Sequence, residues 1–222
     1  MRCLVPDRIA GSDRVADLLL IEHWRNCFAA LRLAAPGDVE FANLIDRYSE
    51  SHRAYHTPQH LEECFRQFEI AGYSARSPGA VGLALFYHDA IYDTHARDNE
   101  EKSAELVREM LLRVEAPAWI LSYVPDLILV TRHTAMPQTT DQQLVVDIDL
   151  SILGAPKARF DEYEQQVRQE YSWVDEATFR AVRRKILEEF LARPAIYSRK
   201  IFRDRFERTA RENLERSIAA LA

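Results

Sequence analysis

The sequence predicts an all-α protein, a single domain built from about nine to ten helices. Apolar residues recur at helical rather than alternating spacing in almost every segment. Only 6 glycines are spread over 222 residues, which is too few for a turn-rich β architecture. With 47% hydrophobic residues, the chain is long enough to bury one sizeable core. We therefore expect one domain over residues 1–222.

The first helix is predicted over residues 12–33. Ser12 and Asp13 suit its N-terminal cap, and a one-sided apolar stripe follows them until the chain reaches Pro36. A second helix covers roughly residues 38–50. The N-terminal segment of the chain therefore reads as two amphipathic helices.

A third helix is predicted from Pro58 to about Ile70, because Thr57 suits its N-cap and Pro58 its first turn. Proline, glycine, asparagine and aspartate separate the later helices, which are predicted at residues 79–92, 98–114, 117–133, 141–153, 156–172, 175–192 and 203–220. Pro194 marks a bend between the last two long helices and not a domain boundary.

Composition excludes several classes of function. The net charge of −6 gives no electrostatic footprint for duplex nucleic acid or an anionic membrane surface, although a nucleotide-sized ligand stays open. The cysteines Cys3, Cys27 and Cys64 are odd in number and far apart, so neither a disulfide framework nor a zinc knuckle is predicted, and a reducing cytoplasm fits best. No apolar window indicates a signal peptide or a spanning helix. The oligomeric state is not indicated.

One histidine and one aspartate interrupt an apolar run. Residues 80–92 read AVGLALFYHDAIY, which places His88 and Asp89 where a packed helix normally carries leucine. Burial of an unpaired imidazole and carboxylate costs several kcal/mol, so a compensating partner is expected. A metal ion compensates both groups at once. A satisfied core histidine beside a capping aspartate is the alternative.

Histidine and aspartate concentrate in four stretches: RAYHTPQHL (53–61), FYHDAIYD (86–93), VTRHT (130–134) and VVDIDLS (145–151). In this order and spacing they resemble the HD superfamily of metal-dependent phosphohydrolases. The resemblance covers roughly residues 40–155, and the chain looks in particular like a small bacterial branch of predicted HD phosphohydrolases. It implies a single all-α HD-type domain with a divalent metal ion in a core over about residues 40–155, onto which the helices of residues 156–222 pack.

The first stretch, YHTPQH, is similar to the YHNxxH motif of cyclic-nucleotide phosphodiesterases. There the second histidine binds metal and the first donates a proton to the leaving oxygen. The resemblance therefore implies that His60 is a metal ligand and that His56 is the general acid. Neighbouring positions on a surface helix would be the alternative explanation of this pair.

The resemblance implies four metal ligands in all, His60, His88, Asp89 and Asp149. In the family's DxD pattern the second aspartate usually supplies the ligand, so Asp147 is expected to stand in an outer or helix-end position, although the pair stays ambiguous. Two neutral imidazoles with two carboxylates nearly neutralise a divalent ion and leave positions for water. Mn, Fe, Co, Ni, Zn and Mg all remain candidates for that ion.

Four further residues are candidates for catalysis. Arg53 is expected to bind phosphate, because a guanidinium matches phosphate oxygens bidentately. His133 ends an apolar helix and is expected to bind the phosphate or a second metal, or else to interact with the helix dipole. Glu100 and Glu101 match the family pattern and are expected to orient the attacking water or bind a second ion. Capping and solvation explain both glutamates equally well.

We therefore expect an enzyme, a metal-dependent phosphohydrolase acting on a small phosphorylated metabolite, with a nucleotide as the leading candidate. An iron-dependent oxygenase on the same scaffold is one alternative. Similar oxygenases carry two ligand histidines between the HD pair and the last aspartate, where this chain has His133 and the less suitable His95. A metal-stabilised binding module without turnover is the other alternative.

Overall fold

Ten helices of ten residues or more follow one another in the computed structural model, which describes residues 11–221, with side chains from residue 18 onward. The helices are α1 (Gly11–Leu31), α2 (Asp38–Tyr48), α3 (Pro58–Ala71), α4 (Pro78–Tyr87), α5 (Asn99–Arg113), α6 (Ala118–Leu129), α7 (Thr140–Asp149), α8 (Lys157–Glu170), α9 (Glu176–Leu191), a short α10 (Lys200–Phe202) and α11 (Arg208–Ala220). Short 3₁₀ segments follow α3, α6 and α7, at Gly72–Ser74, Val130–Arg132 and Leu150–Gly154, and a π-helical turn at Arg203–Glu207 joins α10 to α11. The described range contains no β-strand, so the prediction of an all-α fold of about ten helices is confirmed.

Two of the sequence predictions lie outside the described residues. These are the cap formed by Ser12 and Asp13, whose side chains are not described, and any role of Cys3. Cys27 and Cys64 are both buried free thiols. Between residues 11 and 221, no helix combines the length and the apolar character that a bilayer crossing requires.

The helix predicted over residues 79–92 is wrong at its C-terminal end, because α4 stops at Tyr87. The hydroxyl of Tyr48 accepts a hydrogen bond from the backbone nitrogen of Asp89 at 3.3 Å, and the guanidinium of Arg53 donates to the Asp89 carbonyl oxygen at 2.7 Å. These side chains satisfy main-chain groups that another helical turn would have paired. The sequence stays apolar past the helix end because the following turn still packs against the core.

Helix α4 lies at the centre of the bundle. All of its residues from Gly79 to Tyr87 are buried, and it packs against α1, α3, α5, α6 and α7. Gly79 and Gly82 allow α1 to approach closely: an added Cβ would lie 2.5 Å from the carbonyl oxygen of Cys27 at the first position and 2.3 Å from its sulfur at the second. The end of α4, with His88, is thereby held in the interior of the bundle.

The C-terminal helices pack onto the segment that follows α7. The side-chain amide of Asn213 donates to the carbonyl oxygens of Leu153 and Ala155, both at 2.9 Å, and the hydroxyl of Tyr197 donates to the Leu150 carbonyl oxygen at 3.0 Å. Helices α8, α9 and α11 therefore form a wall beside the C-terminal end of α7, where Asp149 lies.

Candidate metal centre

Three helix ends meet in the interior and carry the four predicted ligands. The ligands are His60 in the first turn of α3, His88 at the C-cap of α4, Asp89 in the turn after it, and Asp149 as the last residue of α7. Pro58 begins α3 after Thr57, as the sequence predicts, although the Thr57 side chain makes no capping hydrogen bond. A capping box formed by Thr139 and Gln142 begins α7. A proline in the first turn of α3 and a capping box at α7 therefore mark the starts of two of these helices.

The donor atoms of the four residues converge. The Nε2 atoms of His60 and His88 lie 3.0 Å apart. The Asp89 Oδ2 atom lies 3.6 Å from the first of these nitrogens and 3.0 Å from the second, and the corresponding distances from Asp149 Oδ1 are 3.5 and 3.6 Å. Donors bound at about 2.1 Å around one ion stand about 3.0 Å apart at right angles and about 3.4 Å apart in a tetrahedron. The observed spacings are therefore those of a single coordination sphere.

The electrostatics of the cluster favour a cation. Burial lowers the pKa of the His88 imidazole, but the carboxylates of Asp89 and Asp149 outweigh it and raise that pKa well above its ordinary value. Burial raises the pKa of both carboxyl groups, yet the neighbouring histidines hold each pKa well below its usual range. Both aspartates are thus negative in a buried site. Two carboxylates match the charge of a divalent ion, which would replace the proton on His88 and use both imidazoles as donors.

Cys64 is a member of this cluster that the sequence analysis missed. Its Sγ atom lies 3.7 Å from Nε2 of His60, and with His88 these residues form a buried group, able to hold a metal ion, whose donor atoms lie within 4.8 Å of one another. The signal was available, since Cys64 follows His60 by four residues on the same face of α3. Burial raises the pKa of the Cys64 thiol well above its ordinary value.

We expect Cys64→Ser to leave one divalent ion bound per chain, with a loss of affinity below about tenfold, or about 1.4 kcal/mol. The reason is that Asp89 and Asp149 already supply two negative charges, whereas a neutral thiol is a poor ligand. Metal titration of the wild type and the variant measures the difference. Complete loss of the ion would show that Cys64 is an essential ligand.

The two aspartates of the DxD motif have different surroundings. Asp149 faces the cluster, whereas Asp147 is fully buried and accepts hydrogen bonds from the backbone nitrogens of Ser198 at 2.8 Å and Arg199 at 2.6 Å. Burial raises the pKa of Asp147 to about 6, against the opposing effect of these two donors. The carboxylate of Asp147 therefore binds main-chain groups at the start of α10 and links α7 to that helix end.

His56, the predicted general acid, lies beside the cluster, and contacts with Glu170 and Tyr92 fix its orientation. Its Nε2 atom lies 3.9 Å from Asp89 Oδ2, and its Nδ1 atom lies 2.8 Å from Oε2 of Glu170. The ring stacks on Tyr92 with centroids 4.0 Å apart, and the Tyr92 hydroxyl donates to the same Glu170 oxygen at 2.9 Å. Burial lowers the pKa of His56, but Asp89 and Glu170 outweigh it and raise that pKa.

Glu170 was not predicted from the sequence. Its Oε1 atom accepts hydrogen bonds from the backbone nitrogens of Ala54, Tyr55 and His56 at 2.8, 2.8 and 3.0 Å. Burial raises the pKa of Glu170, yet the His56 imidazole and these donors bring it down to about 2. Glu170 is therefore a charged carboxylate that fixes both the loop before α3 and the orientation of His56.

Arg53 has main-chain partners that the sequence did not indicate, and its predicted role in phosphate binding stays a prediction. Its side chain is fully buried. One terminal nitrogen, Nη1, donates to the carbonyl oxygens of His56 and Asp89 at 3.2 and 2.7 Å, while Nη2 donates to the Ala90 carbonyl oxygen at 3.1 Å. The guanidinium thus fastens the loop that carries His56 to the turn that carries Asp89.

Arg53→Lys is expected to lower the free energy of unfolding by at least about 2 kcal/mol, because an ammonium cannot reproduce three charge-assisted hydrogen bonds in a fork. The affinity for inorganic phosphate should stay unchanged. Urea unfolding and phosphate titration of the same samples measure both quantities. A variant of normal stability with weakened phosphate binding would support the predicted role of Arg53 in phosphate binding.

The remaining candidates surround the cluster without joining it. Nε2 of His133 lies 2.9 Å from the Oδ2 atom of Asp149. The other oxygen of this predicted ligand, Oδ1, is the one that lies 3.5 Å from His60. Glu101 pairs with Arg132 at 2.5 Å and Glu100 lies 3.8 Å from it. The roles of these glutamates with water or a second ion stay predictions, since their nearest charged partner is Arg132.

A cavity of about 700 Å³ opens onto this cluster, a volume suited to a small organic ligand. His56, Asp89, Asp149 and His133 line its inner side. Its other walls carry aromatic, aliphatic and arginine side chains, which are Tyr92, Tyr163, Tyr171, Phe190, Val167, Ile186, Arg97, Arg132 and Arg183. A smaller cavity of about 190 Å³ reaches His60 and Cys64 from the side of α3. A ligand in the larger cavity would have direct access to the cluster.

Comparison with protein-family models, curated proteins and solved structures gave no match for this chain. Membership of the HD superfamily therefore stays a prediction, based on the four sequence stretches and on the arrangement of their residues.

Proposed function

We propose that this protein is a metal-dependent hydrolase of phosphoesters. The observation that carries the proposal is the convergence of His60, His88, Asp89 and Asp149, drawn from three distant parts of the chain, beside a ligand-sized cavity that Asp89 and Asp149 line. A divalent cation held by these residues supplies Lewis acidity toward phosphoryl oxygens and an ionised water nucleophile near neutral pH.

His56 donates the proton that the leaving oxygen requires. With Nδ1–H donated to Glu170 at 2.8 Å, the other ring nitrogen, Nε2, points toward the cavity and the Asp89 carboxylate. The carboxylates of Asp89 and Glu170 raise the pKa of His56 against the effect of burial, which favours the protonated imidazole that a general acid requires. Tyr92 covers one face of the ring and limits its rotation.

The cavity supports a small phosphorylated metabolite as substrate, with a nucleotide as the leading candidate. Its volume accommodates a nucleoside monophosphate, and the α8 and α9 side of its lining includes Tyr171 and Phe190, against which a base can pack. The net charge of −6 gives no basic surface for a duplex. The substrate is therefore expected to be a small molecule enclosed by the cavity.

Elemental analysis of the purified protein, followed by phosphate release from a panel of nucleotides and sugar phosphates with Mn, Fe, Co, Ni, Zn or Mg, tests the proposal. We expect about one tightly bound ion per chain and turnover of at least one ester. Bound iron with an oxygen-dependent product would favour the oxygenase alternative. Bound metal without turnover of any ester would favour a metal-stabilised binding module.

A further inference from the structure

One face of α9 lines the large cavity and carries a buried cation. Arg183, Ile186 and Phe190 are spaced three and four residues apart, so they project to the same side of the helix, and all three line the cavity. Arg183 is 9% exposed, whereas Arg97 and Arg132 stand at exposed positions. Arg183 is thus the one arginine of the cavity lining that is held inside the fold.

The protein holds this guanidinium in a fixed orientation. Its Nη2 atom donates to the Tyr163 hydroxyl at 2.8 Å and also to Glu164, and its plane lies over the Tyr163 ring with Cζ 5.1 Å from the centroid. Glu164 accepts a further hydrogen bond from the Ser217 hydroxyl at 2.8 Å. Among the described residues Nη1 of Arg183 has no acceptor, so this nitrogen stays available to a ligand.

A series of ring contacts, through Tyr163 and Tyr55, leads from Arg183 to the metal-binding cluster. The rings of Tyr163 and Tyr55 lie 4.6 Å apart, and those of Tyr55 and His60 lie 4.8 Å apart. Arg53 and Arg132 also lie near the site, but Arg53 is buried against main-chain carbonyl oxygens, and Arg132 stands at an exposed position where it pairs with Glu100 and Glu101.

We infer that Arg183 binds the phosphate group of the substrate, taking the role that the sequence suggested for Arg53. The inference rests on the proposed phosphohydrolase function and adds the residue that recognises the anion. A guanidinium fixed by Glu164 and Tyr163 pays little ordering entropy on binding, and its planar fork can donate a further hydrogen bond from Nη1 to a phosphate oxygen. The substrate is accordingly a phosphoester whose anionic oxygens meet α9 as well as the metal centre.

Titration calorimetry of the metal-loaded protein with inorganic phosphate tests the inference without requiring turnover. Arg183→Gln is expected to weaken phosphate binding by at least about tenfold with metal content unchanged, since a charge-assisted hydrogen bond is lost. Arg184→Gln is the matched control, because Arg184 lies on the same helix but is exposed and pairs only with Glu188. Phosphate binding by Arg183→Gln at wild-type strength would overturn the inference.

A second variant separates recognition from structural support. Glu164→Gln removes the ionic partner of Arg183 and keeps the guanidinium, so the protein should still bind phosphate. Loss of phosphate binding in this variant would show that the Arg183–Glu164 pair supports the fold and does not itself recognise the anion. If Arg183→Gln does not fold, Arg183→Lys keeps the charge without the fork, and unchanged phosphate affinity in that variant would likewise count against the inference.

The same samples distinguish this inference from the proposed function. Hydrolysis by the wild type with an unchanged KM in Arg183→Gln would end the inference and leave the phosphohydrolase proposal standing. Arg183-dependent phosphate binding without hydrolysis of any ester would support the anion site and end the phosphohydrolase proposal.

Discussion

Asp149→Ala is expected to lose the bound metal ion and to lower turnover by about 10³-fold or more. The carboxylate of Asp149 lies within 3.6 Å of both ligand imidazoles, so its removal takes away one donor and one of the two negative charges. Metal-ion catalysis supplies several kcal/mol, and each 1.36 kcal/mol corresponds to a tenfold change in rate. Elemental analysis together with the rate of phosphate release measures the effect.

Asp147→Ala is the matched control, two residues away in the same motif. It should keep the metal ion but lower the free energy of unfolding by about 2–4 kcal/mol, because two buried backbone N–H groups, of Ser198 and Arg199, lose their acceptor. Loss of metal in Asp147→Ala together with full occupancy in Asp149→Ala would reverse the ligand assignment. The two variants together therefore test which aspartate of the DxD motif binds the metal ion, a question that the sequence left open.

Sequence patterns predicted the helices and singled out residues whose side chains the structure brings together, because both depend on local spacing. Apolar periodicity and capping signals lie within one segment, as at Pro58, where α3 begins as predicted. His88 and Asp89 were noticed because ionisable groups interrupted an apolar run. Even the error at the end of α4 has a local origin, since periodicity cannot distinguish a buried turn from a buried helix.

Roles that depend on distant partners could not be predicted in this way. Glu170 lies 114 residues from His56 in the chain, and nothing in its own neighbourhood distinguishes it from other helical glutamates. The contacts of Arg53 could not be predicted for a related reason, because its acceptors include main-chain carbonyl oxygens, which leave no trace in the sequence. Cys64 was discounted because cysteines were compared only with one another, and not with the histidine one turn earlier.

His56→Ala is expected to lower turnover by about 10²-fold or more while the metal ion stays bound. His56 is not among the four converging residues, and the role proposed for it is proton transfer to the leaving oxygen. Phosphate-release rates and metal content are measured on the same preparation. Unchanged turnover would remove the proton-donor assignment, and loss of the metal would show that His56 acts on the centre itself.

The pH dependence of turnover provides a stricter test of the same role. A general acid works in its protonated form, so kcat should fall as the pH rises through the pKa of His56. The carboxylates of Asp89 and Glu170 raise this pKa against the effect of burial. Glu170→Gln removes one of the two charges and therefore lowers the pKa of His56, so the descending limb of the profile should move to lower pH, with metal content unchanged. A descending limb that is still present in the pH profile of His56→Ala would show that another group is the titrating acid.

Tyr92→Phe separates the charge of Glu170 from the packing around His56. The substitution keeps the ring that stacks on the imidazole and removes only the hydroxyl that donates to Glu170. If the charge of the glutamate sets the pKa of His56, the descending limb should move far less in Tyr92→Phe than in Glu170→Gln. Equal shifts in the two variants would mean that the position of the glutamate matters more than its charge. In that case Glu170 would act by orienting the imidazole, and the raised pKa of His56 would depend chiefly on Asp89.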